Sequence, residues 1–168
     1  MLIISELVEA MEEDRAGKPP FYYVSDGITY ECEGLEIDQY RCVYDGEKKG
    51  EMIEFFHKPE GFTVELADAA IRMMDVSGCY GIQLVEIDNI VFSHGEKEAI
   101  LECETPAALF AIAAQLCHPE YGPELSVQEC FRMLIQYCVA KKIDIVKAIE
   151  LKLEYNRTRS RMHGGKAY

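Results

Sequence analysis

Three groups of residues in this chain have the types and spacing to do chemistry. Glu6 and Glu9 stand three positions apart, and so do Glu65 and Asp68. On a helix that spacing projects both carboxylates of a pair from one face. Either pair alone is better explained as a solvated helix face, because 30 of the 168 residues are Asp or Glu. Together they make four hard oxygen donors, the kind of set a Mg²⁺ ion accepts while keeping several waters. Four carboxylates crowded together without a cation would repel one another strongly. The third group is C-terminal. Lys152 and Asn156 share a helix face at i, i+4, and Arg157, Arg159, Arg161, His163 and Lys166 follow. A lysine point charge, guanidinium forks and an amide suit a polyphosphate. The bland alternative is a basic tail that offsets the acidity of the rest.

The elements that must position these groups are read from periodicity. From Leu2 to about Arg15, apolar residues at 3, 4, 7, 8 and 11 alternate with acids at 6, 9, 12, 13 and 14, a helix with one carboxylate face. Gly17 and Pro19-Pro20 end it. Residues 21 to 58 change character: Phe21 to Val24, Ile28 to Tyr30 and Tyr40 to Tyr44 are β-prone runs broken by Asp26-Gly27, Gly34 and Asp45-Gly46, which are hairpin signals. A second helix is expected over Phe62 to about Tyr80, with an apolar stripe of Leu66, Ala69, Ala70 and Met73 and a glycine stop at Gly78 or Gly81. Val91 to Gly95 reads as a strand end and its turn. Thr105-Pro106 reads as an N-cap and first helical position, opening a helix to about Cys117. Ser126 with Glu129 reads as a capping box opening another, to about Lys141, and a last helix runs to about Arg157. The expected fold is mainly α, a helical bundle with one small β-rich excursion.

Composition limits the function classes. Lys plus Arg is 17 against 30 acids, a net charge of −13. A surface that neutralises nucleic-acid phosphates is therefore not expected. An acidic chain can still bind a polyphosphate when a divalent cation sits between its carboxylates and the ligand. No apolar run reaches the ~18–20 residues of a membrane span, and the N-terminal residues, acidic by Glu6, lack the basic start of a signal peptide. Seven cysteines without a CxxC pair fit reduced thiols in a cytoplasmic protein. Cys32 and Cys42 flank one loop, but two ligands fall short of the four a structural zinc site takes.

Three blocks carry a family likeness in order: Ser5 to Glu13 with its ExxE, Lys58-Pro59-Glu60-Gly61 leading to the ExxD of Glu65 and Asp68, and Lys152 to Asn156 followed by Arg159 and His163-Gly164-Gly165-Lys166. This ordered set resembles the MazG-like nucleotide pyrophosphohydrolases of the all-α NTP pyrophosphatase superfamily. The resemblance implies one MazG-like domain over 1–168, with insertions at about 21–58 and 85–125, in a homodimer or homotetramer. It implies Glu6, Glu9, Glu65 and Asp68 as ligands of Mg²⁺, or Mn²⁺ in its place, with Glu65 and Asp68 catalytic. Lys152, Asn156, Arg159 and His163 would contact the nucleoside triphosphate. The implied reaction yields a nucleoside monophosphate and pyrophosphate. A non-catalytic nucleotide-binding or interaction module on the same fold is the alternative, since Ser5 stands where the family often has Glu and Arg159-Ser160-Arg161-Met162 replaces its usual tail. From charge alone, neutralising Glu65 or Asp68 should leave or raise stability.

Overall fold

The structure, a computed structural model, describes residues 2–25, 28–31, 41–43, 52–54 and 58–158. It is mainly α. The helices are α1 (Leu2–Arg15), α2 (Phe62–Tyr80), α3 (Glu96–Glu102), α4 (Thr105–Ala114), α5 (Pro123–Ala140) and α6 (Ile145–Thr158), with single 3-10 turns at Ile87–Asn89 and Gln115–Cys117. The strands are β1 (Tyr22–Ser25), β2 (Ile28–Glu31), β3 (Arg41–Val43), β4 (Met52–Glu54) and β5 (Lys58–Glu60). No described helix is long and apolar enough to cross a membrane.

α2 is the central helix, with α1, α5, α6 and β5 all packed against it. Its stripe of Leu66, Ala69, Ala70 and Met73 is fully buried and meets Ile3, Leu7 and Ala10 of α1, with Leu109 and Ile112 of α4, Phe131 and Leu134 of α5, and Ala148 of α6 in the same core. Small residues at 69 and 70 let the neighbouring backbones come close, while Leu66 and Met73 fill the space between them. A second, smaller core joins sheet to helices: Phe21 and Tyr23 pack with Val64 of α2 and Leu151 of α6.

The β-rich excursion is an antiparallel sheet of order β2-β1-β5, with β3 and β4 paired separately. Ser25 pairs with Ile28, leaving two residues between β1 and β2, the hairpin spacing expected from Asp26-Gly27. Sequence reading did not find β5. It holds Pro59, which a strand tolerates at a sheet edge, and β5 is an edge strand. β5 leads straight into α2 through Gly61 at φ 107°. A Cβ there would sit 2.9 Å from the Pro20 carbonyl oxygen, so only glycine lets the Pro19-Pro20 turn lie against the start of α2. Thr63 N–H donates to that same Pro20 carbonyl at 2.9 Å.

Three local expectations are corrected. Val91 to Gly95 is not a strand end. Residues 82–95 form an irregular segment with one 3-10 turn, and glutamine side chains of α5 satisfy its backbone: Gln128 donates to Gln83 O and Gln136 to Val91 O, both at 2.8 Å. α4 has Glu104, not Thr105, at its cap, and Thr105 is its first residue. α5 opens at Pro123 rather than Ser126, because proline at the first helical position is pre-set for the helix and Gly122 caps it. Ser126 is buried one turn in.

α5 passes to α6 through a Schellman turn: Ile143 N–H donates to Cys138 O at 2.8 Å and Lys142 N–H to Val139 O at 3.2 Å. The left-handed residue is Lys142, at φ 60°. An L side chain pays ~1–2 kcal/mol there and glycine loses ~0.5–1 kcal/mol of chain entropy, so Lys142→Gly should stabilise by about 0.5–1 kcal/mol. Thermal unfolding should show a rise of roughly 1–4 °C; a fall would mean that the Lys142 side chain makes a contact worth more than the strain.

Candidate metal centre

α1 and α2 cross so that their carboxylate faces meet. On α1, Glu6 borders the buried Ile3–Leu7–Ala10 stripe and is itself buried. On α2, Glu65, Asp68 and Arg72 follow at i, i+3 and i+7, one face of the helix. One oxygen each from Glu6, Glu65 and Asp68 lies within 4.8 Å of the others. Glu9, the fourth expected ligand, is outside that group of three and exposed, although its carboxyl is raised above the usual range by burial and by the charges of Glu6 and Asp68. It stands at the rim.

Cations surround the cluster. Lys152 of α6 is 5% exposed, and its Nζ lies 2.6 Å from Asp68 Oδ2. Lysine is almost never buried without such a partner. Arg72 donates from Nε to Glu6 Oε1 at 3.2 Å. Lys58 on β5 pairs with Glu60, and its ammonium is raised in pKa: burial pulls it down, but the Glu60 pairing and the charge of Glu65 outweigh that. Sequence reading missed Arg72 and Lys58. The helical spacing of Arg72 from Asp68 was the available signal for the first; Lys58 stood in the Lys58-Pro59-Glu60-Gly61 lead-in to the ExxD, but its strand was not foreseen.

Glu65 is the most perturbed member. It is 6% exposed, and its carboxyl is pushed up to about 7, first by burial and then by the neighbouring charges of Asp68, Glu9 and Glu60, against the lowering charge of Lys152. Asn156, one turn beyond Lys152 on α6, is half-buried. Arg159 and His163 lie outside the described residues, as does Cys32 of the zinc reading. Ser5 donates its hydroxyl to Leu2 O at 2.8 Å, tying it to its own helix backbone.

The donor set fits a small hard cation. Octahedral Mg²⁺ holds oxygens at about 2.1 Å, so its ligand oxygens stand roughly 3–4.2 Å apart, close to the present spread. A buried carboxyl whose proton is held up to about 7 is also a group that a cation would ionise. Glu6, Glu65 and Asp68 would hold the ion, with Glu9 reaching in from the rim. No protein-family model, curated protein or solved structure matches this chain.

The ion pair splits the two α2 carboxylates, correcting the expectation that neutralising either is harmless. Glu65 binds its proton more tightly in the folded chain than in the unfolded one, so without divalent cation its contribution to stability falls as pH rises from about 4.5 to about 7. Glu65→Gln should remove that slope and stabilise the cation-free protein at pH 8 by about 1–3 kcal/mol. Asp68→Asn should instead destabilise by about 3 kcal/mol, because Lys152 would stay buried without its nearest counter-charge. Chelator-treated proteins melted between pH 5 and pH 8 check both; equal effects of the two variants would reject the distinction.

Proposed function

We propose that this chain is a Mg²⁺-dependent nucleoside triphosphate pyrophosphohydrolase that converts an NTP or dNTP and water to the monophosphate and pyrophosphate. The observation that carries this reading is the convergence of Glu6, Glu65 and Asp68 from two helices on one point, with the buried Lys152 beside them. Separate stretches of sequence brought these groups together at a burial cost that a solvated face would not incur. The MazG-like order of the same residues points the same way.

Bound Mg²⁺ would supply charge neutralisation at the triphosphate and make a water acidic enough to attack. Glu65, which a bound cation would ionise, would take the proton of that water. The water oxygen bonds to the α-phosphorus, the bond from that phosphorus to the bridging oxygen breaks, and pyrophosphate leaves with the electron pair. Asp68 holds Lys152 in place at 2.6 Å. The lysine ammonium and the Asn156 amide, on one face of α6, offer donors to phosphate oxygens. Arg159 and His163 are assigned to the same task by the resemblance alone.

A homodimer or homotetramer belongs to this reading. It is supported by α4, a helix without a charged residue whose Phe110 is 70% exposed. A cytoplasmic setting is supported by the free thiols of Cys79, Cys103, Cys117, Cys130 and Cys138. The second reading, a nucleotide-binding module without turnover, is favoured by the ion pairs: Asp68 is engaged by Lys152 and Glu6 by Arg72.

Product analysis separates the two. The purified protein, given ribo- and deoxyribonucleoside triphosphates with Mg²⁺, should release monophosphate and pyrophosphate, and nothing with chelator. Glu65→Gln should lower the rate by about 100-fold or more. Diphosphate and phosphate as products would place the chemistry at the wrong bond. Mg²⁺-dependent binding without any product would establish the second reading.

A further inference from the structure

A cleft of about 510 Å³ opens between the C-terminal end of α1 and the outer face of the β2-β1-β5 sheet. Its walls are Glu13 and Lys18 on one side and Tyr22, Val24, Thr29 and Glu60 on the other. Strand alternation explains the second wall. Phe21 and Tyr23 face the core, so Tyr22 and Val24 face outward, with Thr29 opposite Val24 and Glu60 opposite Tyr22. The volume lies in the range of small-molecule sites.

The cleft adjoins the carboxylate centre at both walls. Glu13 follows Glu6 by seven residues, two turns on the same face of α1, which is about 10.5 Å along the helix axis. Glu60 is the last residue of β5, and its charge is among those that act on Glu65. A ligand that extends from the centre along α1 toward its C-terminal end reaches this cleft after about two helical turns.

The lining discriminates between the two ends of a nucleotide. Glu13 and Glu60 bring two carboxylates, and the ammonium of Lys18 is already engaged by Glu13 at 2.7 Å. Phosphate oxygens gain nothing there. A neutral base and sugar do gain: half-buried Val24 and the small edge of Tyr22 that reaches the cleft, with Tyr22 only 6% exposed, are apolar, and polar groups are fixed beside them. Tyr22 donates its hydroxyl to Glu13 Oε2 at 3.0 Å, and Lys18 Nζ donates to the Tyr22 hydroxyl oxygen at 3.3 Å. These side chains are held before any ligand arrives, which lowers the ordering cost of binding.

We propose that this cleft takes the nucleoside half of the substrate, so that the nucleoside reaches along α1 from an α-phosphate held at the Glu6–Glu65–Asp68 centre to the Glu13 end of the helix. The assignment rests on the pyrophosphohydrolase reading and adds the polarity of the bound substrate and the surface that selects it. The sheet, which lies apart from the helical core that carries the carboxylates, is thereby a specificity element.

Calorimetric binding in Mg²⁺ tests it with two probes. One is a set of α,β-imido nucleoside triphosphates, ribo and deoxy, which resist cleavage at the α-phosphorus; the other is inorganic tripolyphosphate, which has no nucleoside. Thr29→Trp, at an exposed strand position where Trp is well tolerated, and Glu13→Gln should each weaken the tightest nucleotide by about tenfold or more and leave tripolyphosphate within about twofold. Glu65→Gln should weaken both probes. Equal losses for both probes in the cleft variants, no loss in either, or wild-type protein that binds the nucleotides no tighter than tripolyphosphate would overturn the cleft while leaving the metal reading intact. Failure of wild-type protein to bind either probe would overturn the metal reading, and the cleft assignment with it.

Discussion

An ammonium group buried as deeply as that of Lys152 costs several kcal/mol unless an opposite charge stands against it. In this chain the opposite charge is Asp68, and the pair ties α6 to α2 at the point where α1 brings in Glu6. Much of the architecture serves to make that burial tolerable. α2 is central because it carries both the apolar stripe that meets the other helices and, on an adjoining face, the carboxylates that meet the cations. Arg72 and Lys58 add positive charge from the same helix and from the adjoining strand. Positive groups thereby reach the carboxylates from three elements.

The balance is not complete, and the shortfall falls on Glu65. Lys152 lowers its proton affinity, yet burial and three further acids outweigh it. Its carboxyl is therefore held up to about 7 in a partly dry site.

The sheet contributes differently. Its inner face is a small apolar core against Val64 and Leu151, which fixes its orientation on α2 and α6. Its outer face forms one wall of a cleft whose other wall is the end of α1. Gly61 makes the junction, because any larger residue would push the Pro19-Pro20 turn off the start of α2 and shift cleft and carboxylates relative to one another.

Much of this was readable without the fold. The 3.6-residue pattern located α1, α2 and α6 almost to the residue, and the i, i+3 carboxylates on two of them marked their acidic faces, because helical spacing is a local property. The Asp-Gly turns located the first hairpin for the same reason. What the sequence could not decide was everything that depends on which faces meet. It could not separate Glu9, at the rim, from Glu6, in the cluster, since both sit on one helix at equivalent spacing. Nor could it set Asp68 against Lys152, 84 residues away, and so distinguish the carboxylate that holds a cation from the one that is left with its proton. Burial and the pairing of distant charges are properties of the packed chain. They alone brought three of the four carboxylates together and gave Glu65 and Asp68 different surroundings.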